Sequence, residues 1–322
     1  MKKQLTTLLI TSVLLSSAAL ANTDEQAFID KMVKEHQFDA AEISSLLNQA
    51  KKQQSIIDAM SRPAEKRLNW GQYRKIFITD KRIKGGMKFW KENQAILEQA
   101  EKTYGVPAQI ITAIVGVETY YGRITGKYSV LDSLYTLGFH YPPRAKFFRS
   151  ELEEFLQLAR EEGVSPTEPL GSYAGAMGRP QFISSSFRAY AVDFDKDGKR
   201  DIWENNADVI GSVANYFKRH GWKAGEPVAQ LVTGAKKGFD EEIKAGYKPS
   251  FDVKSLIDKG IILGSSLDKD AKVALLEMES DDGNEYWVTS PNFYAITRYN
   301  HSPLYAMAVF QLSEAIRQRM GR

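Results

Sequence analysis

The sequence predicts a mainly α-helical protein with one small β element, and three features of it do so. Apolar residues recur at intervals of three and four through most of the chain. Alternation with a period of two is confined to a short stretch near the end. Gly or Pro stands where several helical runs stop or start. From Thr23 to Met60 the positions Phe28, Met32 and Val33, then Ile43, Leu46 and Leu47, mark short helices, and Asp39 is placed to cap the second. A longer pattern covers Met87 to Tyr104 and stops at Gly105, after which Pro107 suits a first helical turn. The run from Pro107 to about Thr119 is apolar on nearly every side, which predicts a buried helix.

Further helices are predicted over Ala145 to Arg160, Pro180 to Tyr190, Asp208 to His220 and Ser302 to about Met320. Ser165 to Gln181, rich in Pro, Gly and Ser, reads as an ordered loop. Val273–Met278 and Glu285–Thr289 flank Asp281, Asp282, Gly283 and Asn284, which is a hairpin signal. No internal repeat or low-complexity tract is present. The expected organisation is a leader over 1–21, an N-terminal helical region over 22–100 and a core over 101–322. That core carries an acidic loop at 193–204 and a hairpin with the last helix within 271–320.

The leader is read from Lys2 and Lys3, the apolar stretch from Leu5 to Leu20 and the small-residue site at Ala19-Leu20-Ala21. Ser and Thr interrupt that stretch, and no later run approaches the ~20 apolar residues of a membrane span, so no membrane anchor is expected. The chain has 0 cysteines, which excludes disulfides, a thiol nucleophile and a lipid-modified cysteine. Export without cysteine suits a soluble periplasmic enzyme. Losing Lys2 and Lys3 with the leader lowers the formal net charge from +3 to +1, too little for a nucleic-acid partner. The 43% of hydrophobic residues can build a sizeable core. The lysines from Lys81 to Lys91 interleave with acidic residues and read as a solvated helix face.

Glu118 follows Ile111, Ile114 and Val115 at i+7, i+4 and i+3, so its carboxyl projects from the apolar face of a buried helix. Desolvation and the negative end of the helix dipole both favour its protonated form, which is what a general acid requires. The alternative is a buried glutamate tied to a structural arginine such as Arg123.

Asp193, Asp195, Asp197, Lys199, Asp201 and Glu204 fit positions 1, 3, 5, 7, 9 and 12 of an EF-hand loop, with Gly198 at position 6. Hard oxygen ligands select Ca2+, expected as a structural ion, with Asp208 the alternative to Glu204 as closing ligand. No cofactor is expected for catalysis. His36, His140, His220 and His301 are scattered without metal spacing, and Ser184-Ser185-Ser186 lacks the glycine frame of a nucleophile elbow.

Gly116-Val117-Glu118-Thr119-Tyr120-Tyr121-Gly122, then Gly171-Ser172-Tyr173-Ala174-Gly175-Ala176-Met177-Gly178 with Gln181-Phe182, resemble motifs of the lytic murein transglycosylase B family. The likeness continues through Tyr190–Phe194 and Ile210–Phe217 to Tyr299-Asn300-His301-Ser302, over most of the chain. This resemblance implies a lysozyme-like helical core with peptidoglycan glycan strands as the partner, and Glu118 as single acid and base. It also implies Ser172 and Gln181 near the bound sugar, Tyr299 and Asn300 near Glu118, and Tyr73 as a cleft tyrosine. Ser184 and Pro143 depart from the family pattern, the latter where a second basic residue can precede Arg144.

A conventional glycosidase needs two carboxyl groups, ~5–5.5 Å or ~6.5–9.5 Å apart. The other cleft positions implied here are neutral, so the substrate must assist itself, and the family resemblance implies that it does so by forming a 1,6-anhydro end. A lysozyme-type muramidase is the alternative enzyme, and a wall-binding protein without turnover is the alternative of another class. One acidic loop alone does not account for the other motifs, which argues against a calcium buffer.

Overall fold

In a computed structural model of the chain, the described residues are 23–61, 68–234, 238–264, 267–281 and 283–322. The expected leader over 1–21 lies outside them, as does Asp282 of the expected hairpin turn. The mainly helical class is observed. No helix among the described residues is long and apolar enough to cross a membrane.

The chain groups into two units, each made of two separate stretches. Residues 23–61 associate with Thr125–Ala189, and residues 68–124 with Tyr190–Arg322. This differs from the expected division at residue 100, because the Ala108–Thr119 helix packs against Asp80–Glu92 and so binds the two sides of that boundary together.

In the first unit, residues 23–36, Ala40–Gln49, Gln54–Met60, Val130–His140, Ala145–Glu162 and Ser184–Tyr190 are helical. Asp39 caps the second of these by accepting from the N–H groups of Ala41 and Glu42. Val130–His140 and Ala145–Glu162 pack on each other through Leu134, Leu137, Phe148, Leu152 and Phe155, all buried. The Ala145–Glu162 helix stops at Gly163, which is left-handed at φ 64°. Tyr128–Ser129 pairs antiparallel with Leu170–Gly171, a ribbon too short for sequence alternation to show. Gly126 (φ 104°) lets the chain run against this ribbon, since an added Cβ would lie 2.0 Å from the Gly171 carbonyl oxygen.

In the second unit, ten of the twelve residues of Ala108–Thr119 are buried, as the all-round apolar pattern predicts. Pro303–Arg319 and Asp80–Glu92 cover this helix. The expected continuous helix from Met87 to Tyr104 is two, Asp80–Glu92 and Gln94–Tyr104, broken at Asn93. The buried Asn93 side chain donates to the Phe89 carbonyl at 2.8 Å and accepts from Asn206 at 3.0 Å. A side chain that competes for backbone partners in this way ends a helix without any Gly or Pro.

The expected hairpin forms from Lys272–Met278 and Glu285–Thr289, with Leu276 opposite Trp287. It is the centre of a four-stranded antiparallel sheet completed by Ala229–Leu231 and Phe251–Asp252, strands of three and two residues. Val273, Leu275 and Val288 join Phe239, Val253 and Leu256 in a core of their own.

Candidate active site and metal loop

Glu118 is the penultimate residue of Ala108–Thr119. The helix ends because Tyr120 and Tyr121 are left-handed (φ 51° and 62°), followed by Gly122 at φ 82°. Such conformations cost roughly 1–2 kcal/mol per non-glycine residue, and local packing offsets this. The Tyr121 side chain sits against Gly85, Gly86 and Gly116, where an added Cβ would come within 2.8 Å of its ring, 2.7 Å of its hydroxyl and 2.6 Å of its ring, respectively. The Tyr121 hydroxyl donates to the Arg82 carbonyl at 2.8 Å, and the Arg82 guanidinium donates to the Gly116 carbonyl. Glu118 therefore leaves the helix from a turn fixed on both sides of it.

The Glu118 carboxyl is half-buried, and the Tyr305 hydroxyl donates to its Oε1 at 2.5 Å. Burial pushes the Tyr305 and Tyr299 hydroxyls well above the usual tyrosine value, and the neighbouring Glu118 carboxylate adds to both effects. Both hydroxyls thus remain neutral donors across physiological pH. Tyr73, also buried, reinforces the shift of Tyr305. Tyr299 packs against both Tyr216 and Phe217, with ring centroids 4.7 and 5.7 Å away. Asn300 follows it in extended backbone (φ −139°), and its carbonyl accepts from the Ser302 N–H at 2.7 Å. Arg123 lies with its guanidinium 5.1 Å from the Tyr120 ring centroid and forms no ion pair among the described residues.

Tyr305 is the residue that the sequence concealed. It sits 187 positions from Glu118, on a helix whose apolar residues point to packing alone, and nothing in the local pattern distinguishes it from a core aromatic.

Ser172 and Gln181 belong to the other unit, where the loop after Gly171 is ordered by its own hydrogen bonds. Ser172 Oγ accepts from Ala174 and Ala176 N–H groups at 3.2 and 3.1 Å. Gln181 precedes the helix that was expected to contain it, since helical structure starts only at Ser184. At φ 53°, its amide donates to the carbonyls of Thr125 and Gly178 at 3.0 and 2.9 Å. Both side chains thus hold loop backbone, and neither is a helix-surface group.

The acidic loop joins Ser184–Tyr190 to Asn206–Arg219. Asp193, Asp195, Asp197 and Asp208 bring carboxylate oxygens within 4.8 Å of one another. Asp193 accepts from the Asp197 and Gly198 N–H groups at 3.0 and 2.8 Å, which curls the loop around it. Two of the expected ligands are placed differently. Asp201 turns one oxygen to its own turn, accepting from Trp203 and Glu204 N–H at 2.8 and 2.9 Å, and Glu204 is exposed outside the cluster. Lys199 donates its N–H to Asp197 at 3.0 Å.

Asp208 closes the group instead. It is fully buried in the first turn of its helix and accepts from Phe194 and Asp201 N–H at 2.7 and 2.8 Å. Burial, with Asp193 and Asp195 nearby, raises its carboxyl to about 6 against the lowering effect of those two bonds. Four hard oxygen donors with one of them buried fit a calcium ion, which would neutralise charge that the loop otherwise confines.

Residues 21–314 match the family model described as the Transglycosylase SLT domain, and the chain belongs to that family. The membrane-bound lytic murein transglycosylase B of Escherichia coli (strain K12) is 43% identical over 304 residues, 92% of this chain and 83% of that protein. The soluble lytic transglycosylase SltB1 from Pseudomonas aeruginosa superposes with a TM-score of 0.88 at 50% identity, over 92% of this chain and 99% of that one. Escherichia coli Slt35, in a structure with calcium, gives 0.85 at 43% identity over 93% of this chain and 94% of its own.

Proposed function

We propose that the chain cleaves the β-1,4 bond between N-acetylmuramic acid and N-acetylglucosamine in peptidoglycan, with Glu118 as its single acid and base. The chain is a lytic transglycosylase, so bond cleavage consumes no water. The observation that supports Glu118 is its half-buried carboxyl, oriented by Tyr305 and adjoined by the neutral hydroxyl of Tyr299. Protonated Glu118 gives its proton to the leaving glycosidic oxygen as the C1–O bond breaks, and the substrate's acetamido group stabilises the cation. The resulting carboxylate then takes the proton of the C6 hydroxyl while O6 bonds to C1, closing a 1,6-anhydro ring and restoring the acid. Tyr305 holds one carboxyl oxygen throughout. Tyr73, Ser172, Gln181, Tyr299 and Asn300 are assigned to sugar contact in this reading.

Ca2+ is assigned to Asp193, Asp195, Asp197 and Asp208 as a structural ion, supported by the calcium-bound relative at 43% identity. The leader-like first 21 residues and the absence of cysteine support a soluble periplasmic protein.

Digestion of purified sacculi should release fragments with 1,6-anhydro ends, lighter by one water than the muramidase products by mass spectrometry. Reducing ends would overturn the reaction type. Tyr305→Phe should lower kcat on soluble strands about tenfold, the scale of one hydrogen bond to a charged group, with little change in melting temperature. Unchanged kcat would remove Tyr305 from the mechanism.

A further inference from the structure

The rings beside Glu118 continue into a row that runs away from it. Tyr73 packs on Phe77 with ring centroids 5.1 Å apart. The Arg82 guanidinium lies 5.1 Å from the Phe77 centroid and 4.8 Å from that of Tyr120, and Arg123 lies 5.1 Å from Tyr120. Phe77, Arg82 and Tyr120 are half-buried and Arg123 is exposed, so the row runs from buried Tyr73 to solvent.

Among the described residues its two cations, Arg82 and Arg123, have no carboxylate partner, as is also true of the ring-stacked Arg144, Arg160 and Arg298, whereas Arg149, Arg188 and Arg317 each pair with one at 2.5–2.8 Å. Arg82 spends one nitrogen on the Gly116 carbonyl, and its Nε is buried without a partner. Burial lowers its pKa from the ordinary arginine value, although it stays charged. A guanidinium that is desolvated, stacked on rings and unpaired is suited to bind an anion from outside the chain.

We propose that Arg82 and Arg123, stacked on Tyr120, form a carboxylate-recognising extension of the glycan site. This inference rests on the reading of Glu118 and peptidoglycan given above. The row starts at Tyr73 beside the Glu118–Tyr305 pair, and the strand itself supplies the anion. Either the lactyl group of muramic acid or the peptide attached to it can carry that carboxylate.

The test compares three soluble strands: with peptides, with peptides removed to leave free lactyl carboxylates, and with every carboxylate converted to carboxamide. The wild-type protein should prefer at least one carboxylate form over the carboxamide by about tenfold or more in kcat/KM, mainly through KM. The preferred form identifies the source of the anion. Arg123→Gln, which disturbs no hydrogen bond, should cut that preference at least threefold, and Arg82→Gln should bring it close to one, with Arg82→Lys between.

No wild-type preference, or variants that lose activity on all three strands in the same proportion, would overturn the proposal. If Arg82→Gln does not fold, Arg123→Gln decides alone. Binding of the same strands to the Glu118→Gln protein keeps the question separate from catalysis. Turnover retained by that protein defeats the assignment of Glu118, whereas equal binding of all three strands defeats this proposal.

Discussion

Glu118→Gln should reduce the turnover of glycan strands by at least about 10²–10⁴-fold, the usual contribution of general acid–base catalysis, while the protein stays folded. In the proposed reaction the same group gives the proton in the first half and takes one in the second, so no step would escape the substitution. Glutamine keeps the side-chain volume, and its carbonyl oxygen can still accept from the Tyr305 hydroxyl that now reaches Oε1 at 2.5 Å. It also removes a group whose charged form is costly to bury. Loss of activity with an unchanged melting temperature is therefore the expected pair of results. Turnover near the wild-type rate would show that the proton comes from elsewhere.

Removing calcium should have the largest effect on stability. Without an ion, four carboxylates lie within 4.8 Å of one another, one of them fully buried. Extracellular loops of this kind bind at ~10⁻⁴–10⁻³ M. At ~10⁻² M calcium, the tighter end of that range gives about 2.7 kcal/mol of linked stability. For a chain of 322 residues that is roughly 4 °C in melting temperature. Melting in 10 mM calcium against melting in chelator measures it. Asp208→Asn should abolish the difference, and Glu204→Gln should leave it intact. Identical curves for the unaltered protein would refute the site. The opposite ranking of the two variants would restore Glu204 as the closing ligand.

The helices were legible where one face or the whole surface of a segment is apolar. Ala108–Thr119 and the Lys272–Met278 hairpin strand emerge within a residue of their expected ends. Asn93 was not legible as a break, because its effect depends on a side-chain bond to Phe89 and another to Asn206, 113 positions away. The short outer strands of the sheet, two and three residues long, carry too little alternation to register. Within the site, Glu118 stood out as a carboxyl on an apolar face. Tyr305 did not, since a tyrosine on such a face is unremarkable and its role comes from a partner in another helix. The acidic loop divides in the same way. Its first three aspartates follow from local spacing, but that Asp208 joins their cluster and Glu204 does not depends on which carboxyl the following helix buries.

The Glu118–Tyr305 bond also sets an order of events during synthesis. At roughly 5–20 residues per second, the 187 positions between the two residues take about ten to forty seconds to translate. Throughout that interval the chain contains Glu118 but not Pro303–Arg319, the helix that covers Ala108–Thr119 and carries the Tyr305 hydroxyl. Until that last helix is made, the Ala108–Thr119 helix has neither its cover nor the hydroxyl that holds the Glu118 carboxyl.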